Sequence, residues 1–516
     1  MRLFSTAFCF TLGLVQSSTA AHPNVVLFLV DDMGWRDVAC FGSSFYETPN
    51  IDRFAKQGVR FTNAYAACHV CSPTRASIMT GKYPGRLGLT ASLSGRREFD
   101  FQRFLSAEKL QALPLEEVTL AEALKAKGYR TGIFGKWHLG DAEAGPLNQG
   151  FDVQVPKWNG CCPKGGYHPP YRMEGLKIKG KKDEYLTDRL TSMALDFMGQ
   201  SKDKPFFLYL SHFSVHDPIQ GRKDLVDKYR VKLATLPPLE GPPFILEGNP
   251  DDKTPLSREK LTDLLGKSSH QGHKVLPQRT IKIKQRQDNV EFAAMVESVD
   301  ESLGRVLEKL DDMGQTDNTI VIFYSDNGGM SAGNFGNPTR VVQQNQLDRA
   351  YATSNLPLRG AKGWLYEGGI RVPMIVKWPG KGRAGVICEE PVISPDFYPS
   401  ILEMVGLPAK PAQHKDGKSF APALQGKSFE RGPIYWHFPH YSNHGMQSPG
   451  GAIREGDYKL LEYFENNTVQ LFNLKEDIGE QNDLARVRPK KAAKLLAKLH
   501  AWRSEVGARM LRSKKK

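Results

Sequence analysis

Four stretches of this chain share one construction, an apolar run that ends on polar or charged residues. They are Asn24 to Val30 before Asp31 and Asp32, and Arg130 to Phe134 before Gly135-Lys136-Trp137-His138. The other two are Phe206 to Leu210 leading to His212 and His216, and Thr319 to Tyr324 before Asp326 and Asn327. A strand that is apolar at consecutive positions must be covered on both faces, which is the situation of a parallel sheet held between helices. Helical stretches separate the four. One starts at Thr119, with Glu122 three residues on as a capping box, and stops before Gly128. Another runs from about Asp288 to Leu310, with Val296, Val299, Leu303, Val306 and Leu310 at helical spacing. The alternation predicts an α/β fold with a doubly wound, mostly parallel sheet flanked by helices. Its ligand site should lie outside the carboxyl ends of the strands, where the polar residues stand.

The 516 residues, 40% hydrophobic and 24% charged, are enough for one large core and a smaller attached unit. Residues 1–21 read as a signal peptide: an early Arg, an apolar stretch from Leu3 to about Val15, then small residues up to Ala20 and Ala21. That run is too short to span a bilayer, and no later segment is apolar for long enough, so a secreted or periplasmic protein without a membrane span is expected. Residues 22–425 carry the α/β pattern. From 426 to 516 the texture changes to short strands, Ile434 to His437, Tyr458 to Leu461 and Val469 to Phe472, then a basic amphipathic helix from Lys490 to Val506. This predicts a C-terminal α+β subdomain. Leu233 to Gln287, rich in Pro and polar residues with a basic end from Lys274 to Arg286, reads as a merely structural loop or as an insertion over the active face.

The formal charge of +14 suits a polyanionic partner. Part of the excess sits in Lys514 to Lys516 and in Arg488 to Lys494, so a generic basic surface explains it equally well. No nucleic-acid module accompanies the charge, and no nucleic-acid partner is expected. Of seven Cys, Cys9 leaves with the signal peptide. If Cys71 is modified, Cys40, Cys68, Cys161, Cys162 and Cys388 remain, an odd number for an oxidising compartment.

The run Cys68-His69-Val70-Cys71-Ser72-Pro73-Thr74-Arg75 continues through Ala76-Ser77-Ile78-Met79-Thr80-Gly81. Pro73 suits a first helical turn and puts Cys71 at a helix N-terminus, where N–H groups and the macrodipole favour anions and thiolates. Arg75 lies one turn on. By itself the run also fits an ordinary helix-start cysteine, or one thiol of a disulfide with Cys68.

Cys71-Ser72-Pro73-Thr74-Arg75 with the six residues after it closely resembles the signature of the type I sulfatases, alkaline-phosphatase-like enzymes whose motif cysteine is oxidised to formylglycine. Thr74 stands where Ser or Ala is more usual. The resemblance continues at Gly135-Lys136-Trp137-His138-Leu139-Gly140, at Leu358-Arg359-Gly360-Ala361-Lys362 and at Glu367-Gly368-Gly369-Ile370-Arg371-Val372-Pro373. It implies a sulfuric ester hydrolase matured by a separate formylglycine-generating enzyme. A hydrated aldehyde has two hydroxyls on one carbon: one attacks sulfur as the alcohol departs, and the other loses its proton so that sulfate is expelled by C–O cleavage. A serine lacks that exit.

Asp31, Asp32, Asp326 and Asn327 offer the all-oxygen donors that a hard cation takes, joined by residue 71 itself. The resemblance implies one calcium ion, and magnesium would satisfy the same ligand types. It further implies that Lys136 and Lys362 hold sulfate oxygens or the formylglycine, that Arg75 stabilises the latter, and that His138 takes the proton from the second hydroxyl. His216 would bind sulfate and protonate the leaving oxygen. His212 competes for that role, and the His216-Asp217-Pro218 context favours His216. A sulfated carbohydrate is the expected substrate, with Trp436 to Tyr441, His444 and the Tyr167 to Tyr171 loop as candidates for a sugar pocket or for simple packing. The rival readings are a formylglycine-dependent phosphonate or phosphate ester hydrolase and a catalytically silent polyanion-binding protein.

Overall fold

A computed structural model describes residues 22–514 apart from 94–97, 99–101, 177–183, 202–203, 242–243, 253–255, 258, 262, 264–280, 332–350 and 443–446. The expected signal peptide, His444 and most of the basic segment from Lys274 therefore lie outside the described residues.

Eight strands form the central sheet: β1 (Asn24–Val30), β2 (Val59–Phe61), β3 (Arg130–Gly135), β4 (Val153–Val155), β5 (Phe206–Ser211), β6 (Thr319–Ser325), β7 (Met374–Lys377) and β8 (Ile387–Cys388). Their order across the sheet is β8-β2-β7-β6-β1-β5-β3-β4. Pairing is parallel from β6 through β1, β5 and β3 to β4, and also between β2 and β8. Only β7 runs against its neighbours. The sheet is thus mixed but mostly parallel, and the four apolar runs are adjacent strands at its centre.

The pleat divides each run between two cores. Val26, Phe28 and Val30 of β1 join one, with Leu208, Leu210, Val321 and Phe323. Val25, Leu27 and Leu29 join the other, with Phe207, Tyr209, Ile320 and Ile322. The first face is covered by α3 (Leu186–Gly199), α4 (Lys223–Ala234) and α5 (Val290–Asp312), the second by α1 (Cys71–Thr80), α2 (Leu120–Lys125) and α6 (Phe397–Met404). The capping box at α2 is present, with Thr119 and Glu122 bonded reciprocally. The insertion is bounded by two short antiparallel strands, Phe244–Glu247 and Ile281–Lys284. Lys284 N donates to Ser331 O at 2.9 Å, which pins its far end beside the segment that follows β6.

The C-terminal sheet has four antiparallel strands, β9 (Ile434–Phe438), β10 (Gly450–Glu455), β11 (Tyr458–Tyr463) and β12 (Thr468–Asn473), backed by α7 (Pro489–Glu505). The sequence reading missed β10, because Gly450-Gly451 looks like a turn. Packing explains the glycines: a Cβ on Gly450 would stand 2.6 Å from Glu462 O. Trp364, Leu365, Tyr366 and Ile370 share a core with Trp436, Leu460, Leu499 and Trp502, so the loop carrying Lys362 is packed on this second sheet. No helix among the described residues is long and apolar enough to cross a membrane.

Candidate active site

Cys71 is the first residue of α1, after Val70 in extended conformation, and it is buried with the whole helix. Thr74 Oγ1 closes the preceding loop, 3.1 Å from both the N and the O of Cys68. No disulfide joins Cys68 and Cys71, which removes that alternative for the motif. Ligand atoms of Asp31, Asp32, Cys71 and His216 all lie within 4.8 Å of one another. Residues separated by up to 185 positions thus meet at the carboxyl ends of β1 and β5.

Arg75 is fully buried and held from four sides. Its Nε donates to Asp326 Oδ2 at 2.8 Å, and one terminal nitrogen donates to Ser211 Oγ at 2.6 Å and Lys136 O at 3.0 Å. The other lies 3.5 Å from Asp31 Oδ1. Lys136 Nζ is 2.6 Å from Asp31 Oδ2 and Lys362 Nζ is 2.6 Å from Asp32 Oδ2, with all four side chains buried. Asp32 N donates to Asp326 Oδ1, and Asn327 Nδ2 donates to Asp32 Oδ1. Burial and the Asp326 carboxylate push Asp31 up to about 7, against the pull of Lys136. Burial also works against ionisation of Asp32, but Lys362, helped by His216 and Lys136, keeps that carboxyl well below its usual range.

Two oxygens in this set, Asp31 Oδ1 and Asn327 Oδ1, are buried and accept no hydrogen bond. A buried acceptor without a donor is costly, and a cation satisfies it. Three carboxylates and an amide oxygen around those two atoms fit a hard divalent ion.

Asp32 and His138 sit at φ +64° and +59°, a region that costs a residue with a side chain about 1–2 kcal/mol. Glycines permit the surrounding close approaches. A Cβ on Gly135 would fall 1.8 Å from Ser211 O, and one on Gly328 would fall 2.0 Å from Gly368 O. Those contacts bring the Lys136 turn onto β5 and the Asp326-Asn327 turn onto the Lys362 loop. Gly363 N donates to His69 O at 2.9 Å, tying that loop to the approach to Cys71.

Of the two histidines after β5, His216 faces the site. Its Nε2 is 3.6 Å from Asp32 Oδ2 and its Nδ1 is 2.7 Å from Asp217 Oδ1. Burial and Lys362 press its pKa down, but Asp32, Asp217 and Asp31 outweigh them and hold it well above that of an ordinary imidazole. His212 instead bonds Ser302 Oγ of α5 at 2.8 Å and packs on Phe28, and burial lowers it to about 3. It is a core residue. His138 is buried and held well below its usual pKa by desolvation and by Lys136 and Arg75. Tyr167, one of the candidate sugar-pocket residues, supports the His216 turn, its hydroxyl donating to Phe213 O and His216 O at 2.6 and 2.9 Å. Trp436 is buried and donates to Ala66 O, Phe438 packs on His69, and His440 lies 2.8 Å from Thr90 Oγ1. These three are packing residues beneath the Cys71 loop. Ser211 and Asp217, which fix Arg75 and His216, were missed in the sequence. Asp217 adjoins a singled-out histidine, whereas Ser211 carries no sequence signal.

Comparison with known proteins identifies the family. The sulfatase family model matches residues 23–407, and a model of the C-terminal region of N-sulphoglucosamine sulphohydrolase matches residues 361–506. A sulfatase of Formosa agariphila is 29% identical, covering 93% of this chain and 88% of its own. Human N-acetylgalactosamine-6-sulfatase is 31% identical over 82% of this chain and 70% of its own. The crystal structure of Ps i-CgsB superposes with a TM-score of 0.69 at 27% identity, covering 93% of both chains, and that protein has also been solved with k-i-k-neocarrahexaose. The chain belongs to the sulfatase family of the alkaline-phosphatase-like superfamily and is a sulfuric ester hydrolase.

Proposed function

We propose that this protein is an exported enzyme that hydrolyses sulfate monoesters on carbohydrates, using formylglycine made from Cys71 by a separate maturation enzyme and one calcium ion. The observation that carries the reading is the convergence of Cys71 with Asp31, Asp32 and His216 inside 4.8 Å, ringed by Arg75, Lys136 and Lys362. Asp31, Asp32, Asp326 and Asn327 would hold the ion, with residue 71 completing its shell. When bound, it supplies Lewis-acid polarisation of a sulfate oxygen. Formylglycine, as its hydrate, supplies one hydroxyl to attack sulfur and a second whose ionisation releases sulfate.

The chain's own groups do the rest. Lys136 and Lys362 bind sulfate oxygens and the residue-71 side chain as cations already buried and paired, so little reorganisation is required. Arg75 is locked by Asp326 and Ser211 and keeps its charge next to residue 71. His216, oriented by Asp217, hands a proton to the leaving alcohol oxygen, and His138 takes one from the second hydroxyl. The carbohydrate assignment draws on the sulfated-sugar relatives and on the net positive charge of the chain.

Sulfate release from sulfated galactans, fucans and glycosaminoglycan fragments, measured beside matched aryl sulfate and aryl phosphonate esters, tests the proposal. Release from at least one saccharide class is expected. Cleavage of aryl sulfates alone would contradict the carbohydrate assignment, faster aryl phosphonate turnover would favour the phosphonate reading, and heparin binding without any turnover would favour a silent binding protein.

A further inference from the structure

On the rim of the site, soft and hard ligands meet in a way the hydrolytic reaction does not use. Cys161 and Cys162 are adjacent, and their Sγ atoms stand 2.8 Å apart. Their loop is fixed in place. Trp158 Nε1 donates to Cys162 O at 2.8 Å, Gln154 Nε2 donates to Asn159 Oδ1 at 2.8 Å, and the Lys164 ammonium lies over the Trp158 ring. Cys162 Sγ, a ring nitrogen of His216 and a carboxylate oxygen of Asp217 all lie within 4.8 Å of one another. Ligands about 2.0–2.3 Å from a tetrahedral ion are separated by roughly 3.5 Å, so small side-chain adjustments close this group around one. Both cysteines and Asp217 are only partly buried, which leaves a way in from solvent, while His216 is buried behind them.

We propose that Cys162, His216 and Asp217, with Cys161 as an adjacent sulfur donor, form a second cation site that takes a thiophilic divalent ion such as zinc or cadmium and whose occupancy inhibits the enzyme. Ligand chemistry separates it from the neighbouring centre: three carboxylates and an amide suit a hard ion, whereas thiolate and imidazole select a soft one. Asp217 and the thiolates formed on binding supply negative charge that offsets the nearby Lys362. Binding is a ligand exchange in which each coordinating thiol, and the coordinating nitrogen of the protonated His216, releases its proton to solvent as its bond to the metal forms, with no change of oxidation state. An ion on Nδ1, the ring nitrogen 2.7 Å from Asp217 Oδ1, replaces the contact by which Asp217 orients the imidazole for proton donation from Nε2. That inhibitory step rests on the role given to His216 above, but the binding itself does not.

The test uses the full-length protein, reduced with a phosphine and cleared of thiophilic metal. On titration with cadmium, wild type should develop the ultraviolet sulfur-to-metal charge-transfer band. Cys162→Ser should lose it and Cys71→Ala should keep it. Asp217→Asn, whose substitution leaves both sulfurs in place, should weaken cadmium binding about tenfold or more. Zinc should inhibit sulfate release by wild type, with an inhibition constant at least about tenfold higher in Cys162→Ser. A band that survives Cys162→Ser, or that disappears in Cys71→Ala instead, overturns the site. So does a Cys161–Cys162 disulfide that resists reduction in the folded protein. Cysteine-dependent cadmium binding without zinc inhibition overturns the inhibitory step and the proton-donor role it rests on, while leaving sulfatase activity to be judged by sulfate release alone.

Discussion

Lys459 Nζ lies 2.9 Å from Glu367 Oε1 with both side chains fully buried, so an ammonium of the C-terminal sheet is anchored on the loop that carries Lys362. Glu480 lies 2.9 Å from the same ammonium and accepts from Glu367 N, while Arg371 and Tyr65 close the other side of Glu367. The site therefore depends on the C-terminal unit although none of the described residues of that unit is a reacting group.

Removing the ammonium should expose that dependence. Lys459→Met leaves two buried carboxylates without their shared partner, and truncating one side of such a pair costs about 3–5 kcal/mol. Denaturant unfolding should show a loss of that size, and kcat should fall with it because the Lys362 loop loses its anchor. An unchanged unfolding midpoint would contradict the reading.

The same cluster predicts a pH effect. Burial, reinforced by Glu367 and opposed by Lys459, raises Glu480 from 4.5 to about 7. A carboxyl raised in the folded state binds an extra proton there, so its contribution to stability is full below about pH 4.5 and gone by about pH 7. Its size is up to roughly 3 kcal/mol. Glu367, held below its usual range, stays ionised throughout this window and adds no slope. Unfolding free energy followed from pH 5 to pH 7.5 should fall less steeply in Glu480→Gln than in wild type.

The orphaned oxygen at Asn327 makes a separate prediction. Chelator dialysis should abolish sulfate release and calcium should restore it, with Asn327→Ala requiring about tenfold more calcium or more. Zinc restoring full activity where calcium fails would contradict the hard-ion assignment.

The two histidines should separate kinetically. A proton donor to the leaving oxygen is worth about 10²–10⁴-fold on a poor leaving group and far less on a good one. His216→Ala should thus lose much more rate on a saccharide sulfate than on a nitrophenyl sulfate. His138→Ala should instead release alcohol in a stoichiometric burst followed by slow turnover with either substrate. Equal losses for both variants on both substrates would remove the division of roles.

Much of this was legible in the sequence because the relevant physics is local. The runs from Asn24, Arg130, Phe206 and Thr319 are apolar at successive positions, which happens when helices cover both faces of a sheet, and those runs are its central parallel strands. The polar residues at their carboxyl ends then had one side of the sheet to occupy. What stayed hidden depends on contacts distant in sequence. Strand β10 begins with glycines required by the close approach of β11 to Gly450 and of β9 to Gly451, the reverse of their ordinary signal. The Asp217-Pro218 context favours His216 in sequence, but that His212 turns into the core against Ser302 of α5 is not visible there. Nothing near Lys459 or Glu480 indicates that they meet Glu367.

The mechanism turns on the side chain at position 71, and mass spectrometry of the tryptic peptide that bears it reads its chemical state. Active enzyme should yield a peptide about 18 Da lighter than the thiol form, the signature of an –SH carbon oxidised to an aldehyde. Fully active enzyme whose peptide retains the unmodified Cys71 thiol would contradict the mechanism.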